Sequence, residues 1–351
     1  MQVANREVAS RRATLRTTMG RTMGVAVAVA VLVAPVSATT HASAVSSAQR
    51  AGITLSANLS QTQVVVGRRV RISGAATLAS SVRKVVLQRR MPDGWKNVKS
   101  VAPPESTYRM RVPTGWFGSF GYRVKAVGVA GVSPAYSQVK SLRVVPSYAA
   151  RGSASAHTFA ASPTALWESC RVIGYRVNAA QARSGALEDV RRALRRVHQA
   201  TGLRFSYQGG TAIVPQSFSD SYPPDSPLVI AWARPEQSPL LTQGGGSPLG
   251  VGGSAWTFGF RDATGADVSR IRSGSVVIDS TRQGQFPAGF GLGKTRGELL
   301  MHEIGHAVGL QHTSDTRQIM FPSMQSGRAR WGAGDLAGLA GLGANQGCLT
   351  S

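Results

Sequence analysis

The stretch from His302 to His312, H-E-I-G-H-A-V-G-L-Q-H, decides how this chain is read. Residues four apart share one face of an α-helix, so His302 and His306 can offer imidazole nitrogens to a single ion. Gly309 can take the left-handed conformation that ends a helix, and the chain can then turn back to deliver His312 as a third ligand. Three neutral histidines leave the fourth position of a zinc ion open to water. Zinc lowers the pKa of that water toward neutrality and polarises a carbonyl, and Glu303, beside the first ligand, stands ready to accept the proton. Passing the proton on to a leaving amine completes the requirements for hydrolysing a peptide bond. The expectation is one catalytic zinc, held by His302, His306 and His312, with Glu303 as general base and then general acid. With average residue usage, a pattern this long arises by chance in far fewer than about one in ten thousand unrelated chains of this length.

Thr295 and Glu298 form a T-x-x-E capping box just upstream, which starts a helix at Arg296 and puts the motif on it. Eight residues beyond His312 comes Met320, in Q-I-M-F-P. Here the chain resembles the metzincin zinc endopeptidases, and among them the matrixins, in which a long histidine motif is followed by a methionine-bearing turn. The resemblance implies an α+β catalytic domain of twisted sheet and long helices, with Met320 as a hydrophobic floor beneath the metal. It also implies that Phe321, Pro322, Ser323 and Met324 wall the pocket for the first primed-side substrate residue. Phe321 stands where some metzincins carry a metal-reaching tyrosine, so no fifth ligand is expected. The other histidines, His41, His157 and His198, cannot build the histidine-rich second zinc site of animal matrixins within this catalytic domain, and no N-terminal cysteine provides a cysteine switch. A calcium ion is compatible with the chain, although Asp262, Asp267, Asp279 and Asp315 show no recognisable loop spacing.

Arginines at 6, 11, 12, 16 and 21 precede the apolar run from Met23 to Val36, followed by Ala42-Ser43-Ala44, a small-x-small cleavage site. Residues 1–44 therefore read as a signal peptide, with cleavage after Ala38 as the alternative. The run is too short to span a bilayer, and no later stretch qualifies, so the expected mature protein is secreted. Ser10-Arg11-Arg12-Ala13-Thr14-Leu15-Arg16 partly matches a twin-arginine signal, but Thr14 breaks the pattern and an ordinary basic leader is preferred. Export makes Cys170 and Cys348, the only cysteines, natural disulfide partners. The bridge would tie the first strand of the catalytic domain to the C-terminal tail and contribute about 2–4 kcal/mol, chiefly through the unfolded state.

Composition divides the remainder. Short alternating stretches recur from Ile53 to Pro146, including Val64–Val66, Val70–Ile72, Val85–Leu87, Tyr108–Met110 and Tyr122–Val124, with Gly, Pro, Asp and Ser turns between them. Residues 45–146 therefore read as a β-sandwich, similar in pattern to immunoglobulin- or fibronectin-like modules. Residues 147–165, rich in Ala and Ser, read as a mobile linker, and residues 166–351 as the catalytic domain. Within it, Arg171–Val177 predicts a first strand, and the spacing of Leu187, Val190, Leu194 and Val197 a long helix ending at Gly202. Further strands are predicted at Leu203–Tyr207, Leu228–Trp232, Val251–Phe258 and Ser275–Asp279, and a last helix at Asp335–Leu342. By the resemblance, about Gly250–Phe258 is an exposed sheet edge with which an extended substrate pairs as an added strand. The glycine-rich run Gly244–Gly253 reads equally as a flexible surface loop.

The net charge of +24 is uneven. From Arg50 to Arg143 there are 16 Lys or Arg against 2 acids, whereas Arg151 to Ser351 has 19 against 13. A basic sandwich could hold the protein on anionic cell-wall polymers, and no nucleic-acid motif accompanies it. Arg outnumbers Lys 34 to 6, so a compositional bias accounts for the charge equally well. Two function classes follow. One is a secreted zinc endopeptidase acting on peptides or proteins. The other is an attachment protein whose zinc domain is catalytically inert.

Overall fold

Alternation does most of the local work in the N-terminal half. In β6 below, Tyr108, Met110 and Val112 are buried while Thr107, Arg109 and Arg111 are exposed, the period-two signature of a sheet with one wet face. The structure, a computed structural model, describes residues 53–77, 79–102, 106–242 and 248–351. The expected signal peptide lies outside them.

Nine strands build the sandwich: β1 (Asn58–Leu59), β2 (Gln63–Val65), β3 (Val70–Ala75), β4 (Val82–Met91), β5 (Gly94–Val101), β6 (Thr107–Val112), β7 (Gly118–Gly128), β8 (Ala135–Tyr136) and β9 (Lys140–Val145). One sheet has the order β1-β3-β6, and the other β2-β9-β7-β4-β5 with β8 added on β7. Their inner faces share one core, with Ile72, Leu87, Met110, Tyr122, Val124 and Leu142 at its centre.

The C-terminal half adds β10 (Thr158–Phe159), β11 (Ala165–Leu166), β12 (Val172–Asn178), α1 (Ala186–Thr201), β13 (Arg204–Gly210), β14 (Leu228–Ala233), β15 (Gly250–Arg261), β16 (Asp267–Asp279), α2 (Arg296–Ala307), β17 (Leu310–Gln311) and α3 (Ala333–Gly341). The sheet runs β11-β16-β14-β12-β13, and β15 pairs antiparallel with β16 as an outer strand. β14 is buried along its whole length, as a central parallel strand must be when helices and loops cover both faces. α1 and α2 pack together on this sheet, and Leu300, Met301, Ile304 and Ala307 of α2 face the core. Cys170 and Cys348 are joined by a disulfide that ties the entry of β12 to the C-terminus.

Residues 147–165 are not a free linker. The Ala333 amide donates to the Arg151 carbonyl at 2.7 Å and the Ser153 amide to Asp315 at 3.2 Å, while β10 pairs with β17. An Ala/Ser-rich composition suggests mobility because it offers few side chains to bury. Here the segment docks through its backbone, which composition does not report, and through Tyr148, whose hydroxyl donates to the Trp331 carbonyl at 3.2 Å. The sandwich also touches α1, since the Phe117 amide donates to Gln199 at 2.7 Å and Trp116 packs against Gly202, whose φ of +74° closes the helix.

Candidate metal centre and cleft

Thr295 opens α2 as expected, its hydroxyl accepting from the Glu298 amide at 3.2 Å. Twelve residues later the helix ends, and Gly309 takes φ +111°, where a Cβ would be strained. The chain turns through β17 and brings His312 back to the helix face.

Three Nε2 atoms then meet. His302 and His306 are 3.2 Å apart, and each is 3.1 Å from His312. The contact between His302 and His306 is not a hydrogen bond between neutral rings. His302 donates from Nδ1 to the Ile319 carbonyl at 2.7 Å, and His306 from Nδ1 to Leu310 at 2.9 Å, so their Nε2 atoms carry lone pairs. Burial lowers the pKa of His302 to about 4 and of His306 to about 3, and lowers that of His312 as well, so all three are neutral at pH 7. These two lone pairs converge with the His312 Nε2 atom, an arrangement that a cation between the three would stabilise. Tetrahedral zinc with bonds of about 2.0–2.1 Å separates its ligand atoms by about 3.3 Å, close to this triangle. The residues therefore fit a metal ion, and the trio forms a candidate metal site.

Glu303 lines the same cleft and is buried, which alone pushes its carboxyl up to about 8. A cation beside it would favour the carboxylate. Met320 is 1% exposed, and its sulfur sits against Gly305, where any larger side chain would collide with it. Pro322, Ser323 and Met324 line the cleft, and Phe321 does not. Across a space of about 650 Å³ stand Gly250, Val251 and Gly252 of the outer strand β15. The run expected as either edge or loop is thus strand from Gly250 onward, while residues 243–247 lie outside the described residues. Its glycines have a steric reason: a Cβ on Gly252 would overlap the Glu303 carbonyl, and one on Gly250 would press Cγ of Glu303. Gly252→Ala is expected to push β15 off α2 and to cost about 1–3 kcal/mol, read as lost thermal stability. Gly253→Ala, whose Cβ would first meet the Phe218 side chain rather than backbone, should cost less.

The acids left without a role by sequence cap turns or pair with arginine. Asp262 holds the β15–β16 turn through Thr264 and Ala266, Asp279 accepts from Thr281, Asp267 pairs with Arg261 and Asp315 with Arg317. Three other acids support the site, two of them, Asp335 and Asp189, given no role in the sequence reading, and the third, Glu298, read there only as half of a capping box. Asp335 accepts from the Ile319, Met320 and Gly332 amides, clamping the methionine turn whose Ile319 carbonyl orients His302. Asp189 and Arg296 form a buried ion pair at 2.8 Å between α1 and the start of α2. Glu298, one turn before His302, accepts from the Gln325 amide at 2.6 Å. A lone acid inside an apolar run, as in G-A-G-D-L around Asp335, was the one available signal.

Burial pushes Glu298 up to about 7. The folded state holds this proton more tightly than the unfolded one, so its contribution to stability is complete below the ordinary carboxylate pKa. It is lost as pH rises through about 7. Glu298→Gln should flatten the fall of melting temperature between pH 5 and 8, by the equivalent of about 2 kcal/mol.

Comparison with known proteins meets the centre at this point. Residues 273–342, which carry α2, the three histidines, Met320 and α3, match the family model of the matrixin peptidases. The chain therefore contains a matrixin-like region of metallopeptidase type. No curated protein matches it. Among solved structures, a chain from work on T-cell activation by the bacterial superantigen toxic shock syndrome toxin-1 is similar at 14% identity and TM-score 0.21, over 27% of this chain and 100% of that one. A chitin binding domain from Burkholderia pseudomallei gives 14% and 0.21, over 24% and 57%. Likenesses this slight bear on neither fold nor function.

Proposed function

We propose that this protein is an exported endopeptidase using one zinc ion, held by His302, His306 and His312, with Glu303 as its acid/base residue. The observation that carries the reading is the convergence of three neutral imidazoles beside a buried carboxylate, in a cleft bounded by an open sheet edge. When bound, zinc supplies a Lewis acid for the scissile carbonyl and a water acidified toward neutrality. The chain's own residues do the rest. β15 can hold an extended peptide by backbone pairing, and Pro322–Met324 close the opposite side. Glu303 takes a proton from water and hands it to the departing nitrogen. Met320 fills the space under Gly305, and Asp335 keeps the turn in place, so His302 cannot tilt away. An inert zinc domain is not favoured, because the ligands and the acid/base residue are all present in one site. The reading requires that a chelator abolish cleavage of an unbiased peptide library and that added Zn²⁺ restore it. Cleavage indifferent to chelation would sink it.

A second reading concerns the immunoglobulin- or fibronectin-like module. Arg71 lies directly opposite Arg111 on the outer face of the small sheet, with Arg109 two residues along, and none has an ion-pair partner among the described residues. Like charges opposed on a sheet are destabilising, and an anionic polymer of the cell wall would relieve them. Changing all three to Glu should release the protein from isolated walls at low salt. Unchanged retention would refute the idea.

A further inference from the structure

A second cavity, of about 820 Å³, is larger than the metal cleft and shares no lining residue with it among the described residues. One side is the segment at 147–151, which docks on the catalytic half, and the other is the stretch at 316–332 between β17 and α3. Its size suits a small organic molecule, since ligand sites usually span about 300–1,000 Å³. Peptide hydrolysis in the metal cleft makes no use of it.

Arg151, Arg317, Arg328 and Arg330 line this cavity, all of them exposed. Arg317 is engaged by Asp315 at 2.8 Å. The other three have no ion pair and no side-chain hydrogen bond among the described residues. Arg330 lies 5.0 Å from the centre of the Tyr148 ring, a contact that leaves its N–H donors without an acceptor. Guanidinium donors in this state match the paired oxygens of phosphate and carboxylate groups.

Nearby acids do not neutralise the three arginines. Asp335 is buried, and its oxygens are taken by the Ile319, Met320 and Gly332 amides. Glu298 is the only acid that lines the cavity among the described residues, and it is 4% exposed. Its Oε1 accepts from the Gln325 amide, whereas its buried Oε2 has no partner among the described residues. Native structures rarely leave such an atom unmatched, so Oε2 marks the place of a polar group from a ligand. A hydroxyl serves there in either protonation state, because it can both donate and accept.

We propose that this cavity binds a hydroxylated organic phosphate, of the sugar-phosphate or polyol-phosphate class, with Arg151, Arg328 and Arg330 on its phosphate groups and Oε2 of Glu298 on a hydroxyl. Phosphate suits the site better than a carboxylate, since each group brings more charge and more acceptor oxygens to the three arginines. The assignment does not depend on the peptidase reading.

The test is calorimetric titration of the purified protein at fixed ionic strength. The probes are fructose bisphosphate, hexanediol bisphosphate, which keeps two phosphates without free hydroxyls, and glucarate, which carries carboxylates instead. Fructose bisphosphate should bind at about one per chain, with both other probes about tenfold weaker or more. Arg328→Gln with Arg330→Gln should weaken it by about tenfold, while Lys84→Gln, on β4 and outside the cavity, should change nothing. Equal affinity after chelation of the metal separates this site from the metal cleft. Displacement of the bound probe by poly(glycerol phosphate) would place the natural ligand in a polymer, and no displacement in a free small molecule; both keep the proposed chemistry. No binding, an affinity untouched by the double arginine change, or equal affinity for hexanediol bisphosphate or glucarate would overturn the proposal.

Discussion

Glu303→Ala is expected to lower kcat/KM for peptide cleavage by about 10²–10⁴-fold, the usual worth of a positioned acid/base group, while metal content stays at the wild-type level. The separation of the two readouts follows from position. Glu303 is adjacent to His302 in sequence but is not one of the three converging nitrogen donors. Its side chain lines the cleft, and burial raises its proton affinity. Glu303→Gln keeps the shape and loses only the ability to take a proton, so it should be nearly as inactive. Activity within tenfold of wild type in both variants would assign the proton transfer to some other group.

The second large effect is on folding. Asp189→Ala is expected to destabilise the protein by about 3–5 kcal/mol, because it strands the Arg296 guanidinium in the interior. Arg296 is 3% exposed on its side chain and Asp189 7%, and the same carboxylate also accepts from the Gly289 amide at 2.9 Å. Arg296 further donates to the Arg183 and Ser184 carbonyls, so the pair joins α1, the loop before it and the first turn of α2. Melting should fall by roughly 6–20 °C. Removing both partners, as in Asp189→Leu with Arg296→Met, should cost less than the sum of the single changes. Additive losses would show that the pair contributes only packing.

These two sites differ in how far the sequence reveals them. The histidine helix, Met320 and the cap at Thr295 are written in local spacing, since helix periodicity and capping act over three to ten residues. α1 is equally legible from its apolar stripe and its closing Gly202. Strand β16 is only half legible: Ser275–Asp279 is an apolar run, but Asp267–Ser273 alternates buried positions with Arg270 and Arg272 and becomes strand through its partner β15. The Asp189–Arg296 pair spans 107 residues and has no local pattern. The docking of 147–165 relies on backbone groups, which every residue carries alike, and on contacts of Tyr148 and Phe159 with residues distant in sequence. The glycines of β15 were legible as glycines, but their reason, a helix carbonyl against the strand, exists only once both elements are placed.

Metal analysis of the purified protein, with His302, His306 and His312 each changed to Ala in parallel, decides whether the three histidines hold an ion. About one zinc per wild-type chain is expected, with occupancy lost or sharply weakened in each folded variant. Wild-type protein that takes up no zinc, or folded variants that keep it at full affinity, would contradict that assignment.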